Sequence, residues 1–88
     1  MEKEVGVVSH YFGRINVGAI ELTDTLEVED TIHIVGHTSN FTQKVDSMEI
    51  EHVKVDKAKK GDSIGIKVDE KVRDGDIVYK VMEPSEEV

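Results

Sequence analysis

Short alternating segments of Val and Ile, separated by polar turns, constrain the fold of this chain more than any other feature. The segment Thr31–Val35 is typical, since it puts Ile32 and Ile34 on one face and His33 on the other. β-Branched side chains fit a pleated surface well, and the chain contains only two Leu. Such segments recur about every 8–12 residues with turn signals between them, which favours a barrel or a sandwich over βαβ units.

This pattern predicts seven strands and no long helix. The strands cover residues 5–10, 14–22, 31–35, 41–50, 52–55, 63–68 and 77–82. Two changes of the inward-facing side predict two β-bulges. Around Gly18, the inward-facing residues change from Ile15 and Val17 to Ile20 and Leu22, and the second change lies between Val45 and Met48. Because a small sheet protein must hide its edges, we predict an all-β fold, a small closed or nearly closed antiparallel β-barrel of about six to seven strands.

The chain length predicts a single domain. We expect a frayed N-terminus over residues 1–4, one β-barrel domain over residues 5–82, and an acidic C-terminal tail over residues 83–88.

No cysteine is present, which excludes disulfides and thiolate chemistry. The acidic start is unlike a signal peptide and no apolar run is long enough for a membrane span, so we expect a cytoplasmic protein without membrane partners. The many charged residues resemble a thermophile-like composition.

The motif Gly61-Asp62-Ser63-Ile64-Gly65-Ile66 follows a lysine-rich turn. Gly61 suits a turn with positive φ, and Gly65 suits a close backbone approach within the following strand. Ile64 and Ile66 are predicted core residues.

Taken in order, several motifs resemble the second, β-barrel domain of the translational GTPases of the elongation factor Tu and initiation factor 2 family. The motifs are the segment 26–36 (Leu-x-Val-x-Asp-x-Ile-x-Ile-x-Gly), the segment 45–49, the segment 58–66 (Ala-x-x-Gly-Asp-x-Ile-Gly-Ile) and the segment 73–78. Glu29 replaces the glycine that the family has before Asp30, which predicts a different turn there. A related barrel also occurs as a C-terminal accessory domain of collagenase-like peptidases, so the fold alone does not determine function.

The resemblance implies a non-catalytic binding module that associates with the ribosome, tRNA or a translation protein. The alternative is an accessory protein–protein interaction module unrelated to translation, which the net charge of −8 favours because an acidic chain repels phosphate backbones. His52 and Ser63 align with an arginine and an asparagine of the family's tRNA-binding barrel. The chain lacks the phosphate-binding Gly-x-x-x-x-Gly-Lys-[Ser/Thr] loop, so we expect no GTP binding.

Two groups of residues are candidate contacts with RNA or a partner protein. The first is basic and contains Lys54, Lys57, Lys59 and Lys60, extended by His52 and Arg14. Ser63, which lies near His52, is a further candidate contact. The second is the aromatic pair Tyr11 and Phe12, of which one is expected to be exposed because adjacent residues of a strand point to opposite faces. Solvated turn lysines and ordinary packing are the simpler interpretations of both groups.

No pattern in the sequence predicts a metal site, a cofactor or a catalytic centre. The four histidines His10, His33, His37 and His52 lack the spacing of metal ligands on one helical face. Carboxylates near residues 69–76 lack the alternation of a calcium loop, and Asp76 is expected to accept hydrogen bonds from the backbone of its own turn. We therefore expect no enzymatic activity.

Overall fold

Ten β-strands form the secondary structure of the protein in a computed structural model that describes residues 1–82. The strands are β1 (Glu2–Phe12), β2 (Val17–Leu22), β3 (Leu26–Glu27), β4 (Thr31–Val35), β5 (Asn40–Lys44), β6 (Met48–Ile50), β7 (Val53–Val55), β8 (Lys57–Ala58), β9 (Ser63–Lys67) and β10 (Ile77–Val81). Within the described residues there is no helix, and therefore none long and apolar enough to cross a membrane. The all-β prediction is thus confirmed.

Eight strands form one antiparallel sheet in the order β5-β4-β10-β1-β2-β9-β6-β7, and β3 pairs with β8 separately. The terminal strands β5 and β7 do not pair with each other in the described part of the chain, so the sheet is not closed. The prediction of a closed or nearly closed antiparallel barrel is therefore correct in the all-β, antiparallel architecture, but the sheet is not closed into a barrel. Closure requires continuous pairing between the first and last strands, and β7 has only three residues.

A buried side chain links the two halves of the open sheet. Gln43 of β5 donates a hydrogen bond from Nε2 to the Lys67 carbonyl of β9 at 2.9 Å. Its Oε1 accepts a hydrogen bond from the Asp69 backbone N–H at 2.7 Å. Gln43 is 8% exposed, so these bonds connect β5 to the end of β9 without strand pairing.

The core contains sixteen buried apolar residues, mainly Val and Ile. They are Val5, Val8, Ile20, Leu22, Leu26, Ile32, Ile34, Phe41, Val45, Met48, Ala58, Ile64, Ile66, Val68, Val72 and Val78. The predicted core positions Ile32, Ile34, Ile64 and Ile66 are confirmed.

Both register irregularities in the sheet lie in β1, between Glu4 and Gly6 and between Val8 and His10. The predicted bulge at Gly18 is wrong, because β2 pairs with β9 in continuous register from Val17 to Glu21. The second predicted bulge is also wrong, since residues 45–47 separate β5 from β6 instead of continuing one strand.

The two ends of the predicted domain have different outcomes. Residues 2–4 belong to β1 and pair with β10, whereas a frayed segment was expected there. The expected acidic tail, residues 83–88, lies outside the described residues.

Three turns share one geometry and account for most of the recognisable sequence motifs. Each ends at an aspartate whose carboxylate accepts a hydrogen bond from the backbone N–H three residues earlier: Glu27 to Asp30, Lys59 to Asp62 and Arg73 to Asp76, at 2.8, 2.9 and 3.0 Å. The residue before each aspartate has positive φ: Glu29 at 85°, Gly61 at 95° and Gly75 at 98°. The predicted roles of Gly61 and Asp76 are confirmed, whereas the expectation that Glu29 changes its turn is wrong.

Candidate functional site

The outer face of β2 carries apolar residues that the sequence had suggested were inside. Gly18, Ile20 and Leu22 point to the core, so Val17 and Ala19 point outward. Ile15, in the loop between β1 and β2, is 58% exposed. The prediction that Ile15 and Val17 face the core is therefore wrong, and they form part of a second, solvent-facing apolar surface.

This surface is concave and forms a groove with a volume of about 410 Å³. Its lining comes from the β1–β2 hairpin, β2, β6, the β6–β7 turn and β9: Phe12, Ile15, Val17, Ala19, Glu49, Glu51, His52, Ser63, Ile64 and Gly65. Small residues make the concavity, since Ala19 lies opposite Gly65 in the β2–β9 pairing and Ser63 is two residues before Gly65. Larger side chains at these positions would fill the groove.

Gly65 therefore contributes empty space. A Cβ atom at this position would lie 3.4 Å from a Val17 side-chain methyl group, which is ordinary van der Waals contact. The predicted close approach of a crossing backbone at Gly65 is wrong.

Two carboxylates stand at the groove, Glu49 of β6 and Glu51 of the β6–β7 turn. Neither takes part in any of the ion pairs found among residues 1–82. A third carboxylate lies beside the groove, where Glu21 accepts a 2.6 Å hydrogen bond from the Ser63 hydroxyl. The groove thus combines an apolar lining with negative charge.

The turn that carries Glu51 and His52 has an unfavourable backbone conformation for these residues. It is a two-residue hairpin connection between Ile50 and Val53, and both central residues have positive φ, 50° and 67°. Such turns are normally Asn-Gly or similar, because side chains with a Cβ resist positive φ. A residue held in this way costs about 1–3 kcal/mol and often lies at a functional site.

Three of the predicted contact residues come together in the groove: Phe12, His52 and Ser63. Phe12 is 46% exposed and meets the His10 ring edge-on at 4.5 Å. Tyr11 points to the other face, where it packs partly on the core and donates a hydrogen bond to Asn16 at 3.1 Å. The expectation that one of the two aromatic residues is exposed is confirmed.

The four lysines lie outside the groove. Lys54 is opposite Glu49 in the β6–β7 pairing, and Lys57 makes a 3.7 Å ion pair with Glu27. Lys59 and Lys60 are exposed in the turn that leads to β9. Their role as contacts stays a prediction.

The described histidines and acidic residues do not form a metal site. No group of three or more His, Cys, Asp and Glu in residues 1–82 is arranged to hold a metal ion. His33 instead bridges two acceptors, with Nδ1 at 2.9 Å from a Glu2 carboxylate oxygen and Nε2 at 2.6 Å from Asn40 Oδ1. These two hydrogen bonds, first to Asn40 and then to Glu2, raise the pKa of His33 above its usual value.

Sequence reasoning missed the contributions of Ile15, Val17, Ala19, Glu49 and Glu51 to the groove. The available signal was the run of apolar residues at both odd and even positions between Ile15 and Leu22. A strand with two apolar faces gives this pattern, and so does a strand with a β-bulge.

Comparison with known proteins finds relatives that are named as a protease and a collagenase. The chain is 41% identical over 81 residues to a protein named as an uncharacterized protease of Methanocaldococcus jannaschii, and 40% identical over 78 residues to a collagenase of Porphyromonas gingivalis. These alignments cover 91% and 86% of this chain but only 20% and 22% of the relatives. The chain therefore spans about a fifth of the length of the curated relatives it matches. No family model matches the chain.

The fold matches a solved C-terminal domain. Two crystal structures of the C-terminal domain of a candidate U32 peptidase from Geobacillus thermoleovorans superpose with TM-scores of 0.85 and 0.83 at 18% identity. The first superposition covers 91% of this chain and 93% of that domain, and the second covers 86% and 96%.

These findings overturn the assignment to the barrel of translational GTPases. The matched proteins are named as proteases or collagenase, so the translation-factor function is wrong as well. The motifs misled because they encode the repeated Asp-terminated turn and the strands around it, which are requirements of a fold and not of a chemistry. The expectation that the chain has no enzymatic activity is not supported by relatives with these names.

Proposed function

We propose that this chain is an accessory domain of a peptidase system, which binds polypeptide without cleaving it. The groove carries this proposal, because exposed Phe12 and Ile15 stand beside a concave apolar surface on an otherwise highly charged chain. Exposed apolar surfaces of this kind mark interaction sites. The protease and collagenase names of the relatives suggest polypeptide as the ligand class.

The hydrogen bonding of Ser63 supports binding over catalysis at this groove. A catalytic serine donates its hydroxyl to a base that is oriented by a third group. The Ser63 hydroxyl donates to Glu21, a carboxylate for which no further side-chain hydrogen bond is found among the described residues, and not to His52, which lines the same groove. We propose that the catalytic residues of such a system lie outside this chain.

Titration of the isotopically labelled chain with gelatin, followed by NMR and by electrophoresis of the gelatin, tests both parts of the proposal. We expect shifts of the amide signals of Ala19, His52 and Gly65, with the gelatin left intact. Phe12→Ser and Ile15→Ser should weaken binding by about tenfold each, because each removes a large part of an apolar contact.

Val53→Ser is the matched control, since Val53 is 64% exposed but does not line the groove. Equal weakening by Val53→Ser would contradict the groove as the binding site. Cleavage of gelatin by the purified chain would contradict an accessory role.

A further inference from the structure

We infer that the groove selects an extended polypeptide segment in which a large apolar side chain is next to a Lys or Arg. This inference rests on the proposed function and adds a sequence preference to it. The segment is part of the polypeptide that the peptidase system processes.

The size of the groove fits a short segment better than the face of a folded domain. Its volume of about 410 Å³ accommodates one or two side chains. Interfaces between domains bury about 600–1,500 Å² of surface and so involve many more side chains than this. The apolar side chain would rest on Ala19 and Gly65, with Phe12 and Ile15 covering its exposed side.

The charges around the groove favour a Lys or Arg next to the apolar side chain of the bound segment. Glu49 and Glu51 line the groove, and no Lys or Arg of residues 1–82 does so. The cations nearest along the strands are Lys54, opposite Glu49, and Lys67, opposite Val17, yet neither forms an ion pair with the groove carboxylates in the described part of the chain. These carboxylates are available to a ligand cation, and they repel phosphate groups.

The β6–β7 turn provides an independent indication. Glu51 and His52 occupy two positions with positive φ where Asn and Gly would be more stable. Both residues line the groove. A turn that keeps unfavourable residues at the rim of a groove is consistent with selection of their side chains for binding.

Three capped hexapeptides with the central pairs Leu-Arg, Leu-Glu and Gly-Arg test the preference by calorimetry and NMR on the full chain. We expect the Leu-Arg peptide to bind about fivefold more tightly than Leu-Glu, because two exposed ion pairs are individually weak. The Gly-Arg peptide should bind about tenfold more weakly, because it lacks the apolar contact.

The Leu-Arg preference over Leu-Glu should disappear in the double variant Glu49→Gln/Glu51→Gln and persist in Glu70→Gln, which changes an exposed carboxylate away from the groove.

The double variant Glu51→Asn/His52→Gly separates binding from folding. It should raise the melting temperature because Asn-Gly suits the turn, and it should weaken Leu-Arg binding about threefold by removing one ion pair. Unchanged Leu-Arg affinity in this more stable variant would contradict the role of the turn.

Equal affinity for Leu-Arg and Leu-Glu would overturn the preference and leave the proposed function intact, because gelatin binding tests that function separately. Tighter binding of a single-stranded RNA than of Leu-Arg at the same amide signals would also overturn it. Absence of binding by all three peptides would overturn it too, whether or not gelatin binds.

Discussion

At the scale of single residues, Glu29 shows how strongly the surrounding turn fixes the backbone. Its φ of 85° matches those of Gly61 and Gly75 in the two equivalent turns. The Asp30 carboxylate, bonded to the Glu27 N–H, holds this geometry although Glu29 has a Cβ. The local hydrogen bonds therefore outweigh the preference of the residue.

Replacement of this residue should stabilise the protein. Glu29→Gly is expected to raise the free energy of unfolding by about 1 kcal/mol, because left-handed backbone costs a non-glycine residue about 1–2 kcal/mol. The ion pair lost with Lys44 is exposed and contributes little. Urea unfolding measures the change. The control Glu27→Gly puts the same glycine in β3 of the same turn and should destabilise; a loss of stability with both variants would contradict the argument.

At the scale of elements, the turns at Gly61 and Asp76 were predicted from the sequence, whereas several strand boundaries were not. Asp30, Asp62 and Asp76 define turns through bonds within four residues, which are present in the sequence itself. Residues 41–50 were predicted as one strand, but Val45 hydrogen-bonds to Glu29 and Asp30 and separates β5 from β6. That break depends on a segment fifteen or more residues away along the chain.

We expect the hydrogen bond between Glu2 of β1 and His33 of β4 to depend on pH. The His33 partners Asn40 and Glu2 both present oxygen atoms to the ring nitrogens, so the protonated ring is favoured and the pKa is raised above 6.5. A raised pKa in the folded state means that the stabilisation is fully present below about pH 6.5 and is lost as the pH rises through the folded value.

Urea unfolding at several pH values above and below this range should therefore show a loss of stability with rising pH. The loss should be smaller in Glu2→Gln and unchanged in Glu4→Gln, which alters the same strand. An NMR titration in which the His33 ring has a pKa at or below 6.5 would contradict this expectation.

At the scale of the whole molecule, the sheet is held in its curved form by side chains as well as by strand pairing. Gln43 satisfies the Lys67 carbonyl and the Asp69 N–H across the gap between distant strands. The two-stranded β3–β8 pair adds the buried residues Leu26 and Ala58 to the same core. The groove lies on the outside of this curved sheet, over β2 and β9.

Removal of the Gln43 bonds should loosen this arrangement. Gln43→Met keeps the length of the side chain but removes both hydrogen bonds to the part-buried backbone groups, at a net cost of about 0.5–1.5 kcal/mol for each bond. Hydrogen exchange should increase at Asp69 and in β5. Thr42→Val changes an exposed neighbour in the same strand and should have little effect; equal destabilisation by both variants would argue against the role of Gln43.

The sequence by itself determined the all-β class, the turns at Gly61 and Asp76 and the core positions Ile32, Ile34, Ile64 and Ile66. Periodicity and short-range hydrogen bonds encode these features, so they are readable without the fold. Only the tertiary structure decided that the sheet stays open and that Ile15, Val17 and Gly65 face a groove. Alternation separates the two faces of a strand, but which face is covered depends on distant strands that the pattern does not specify.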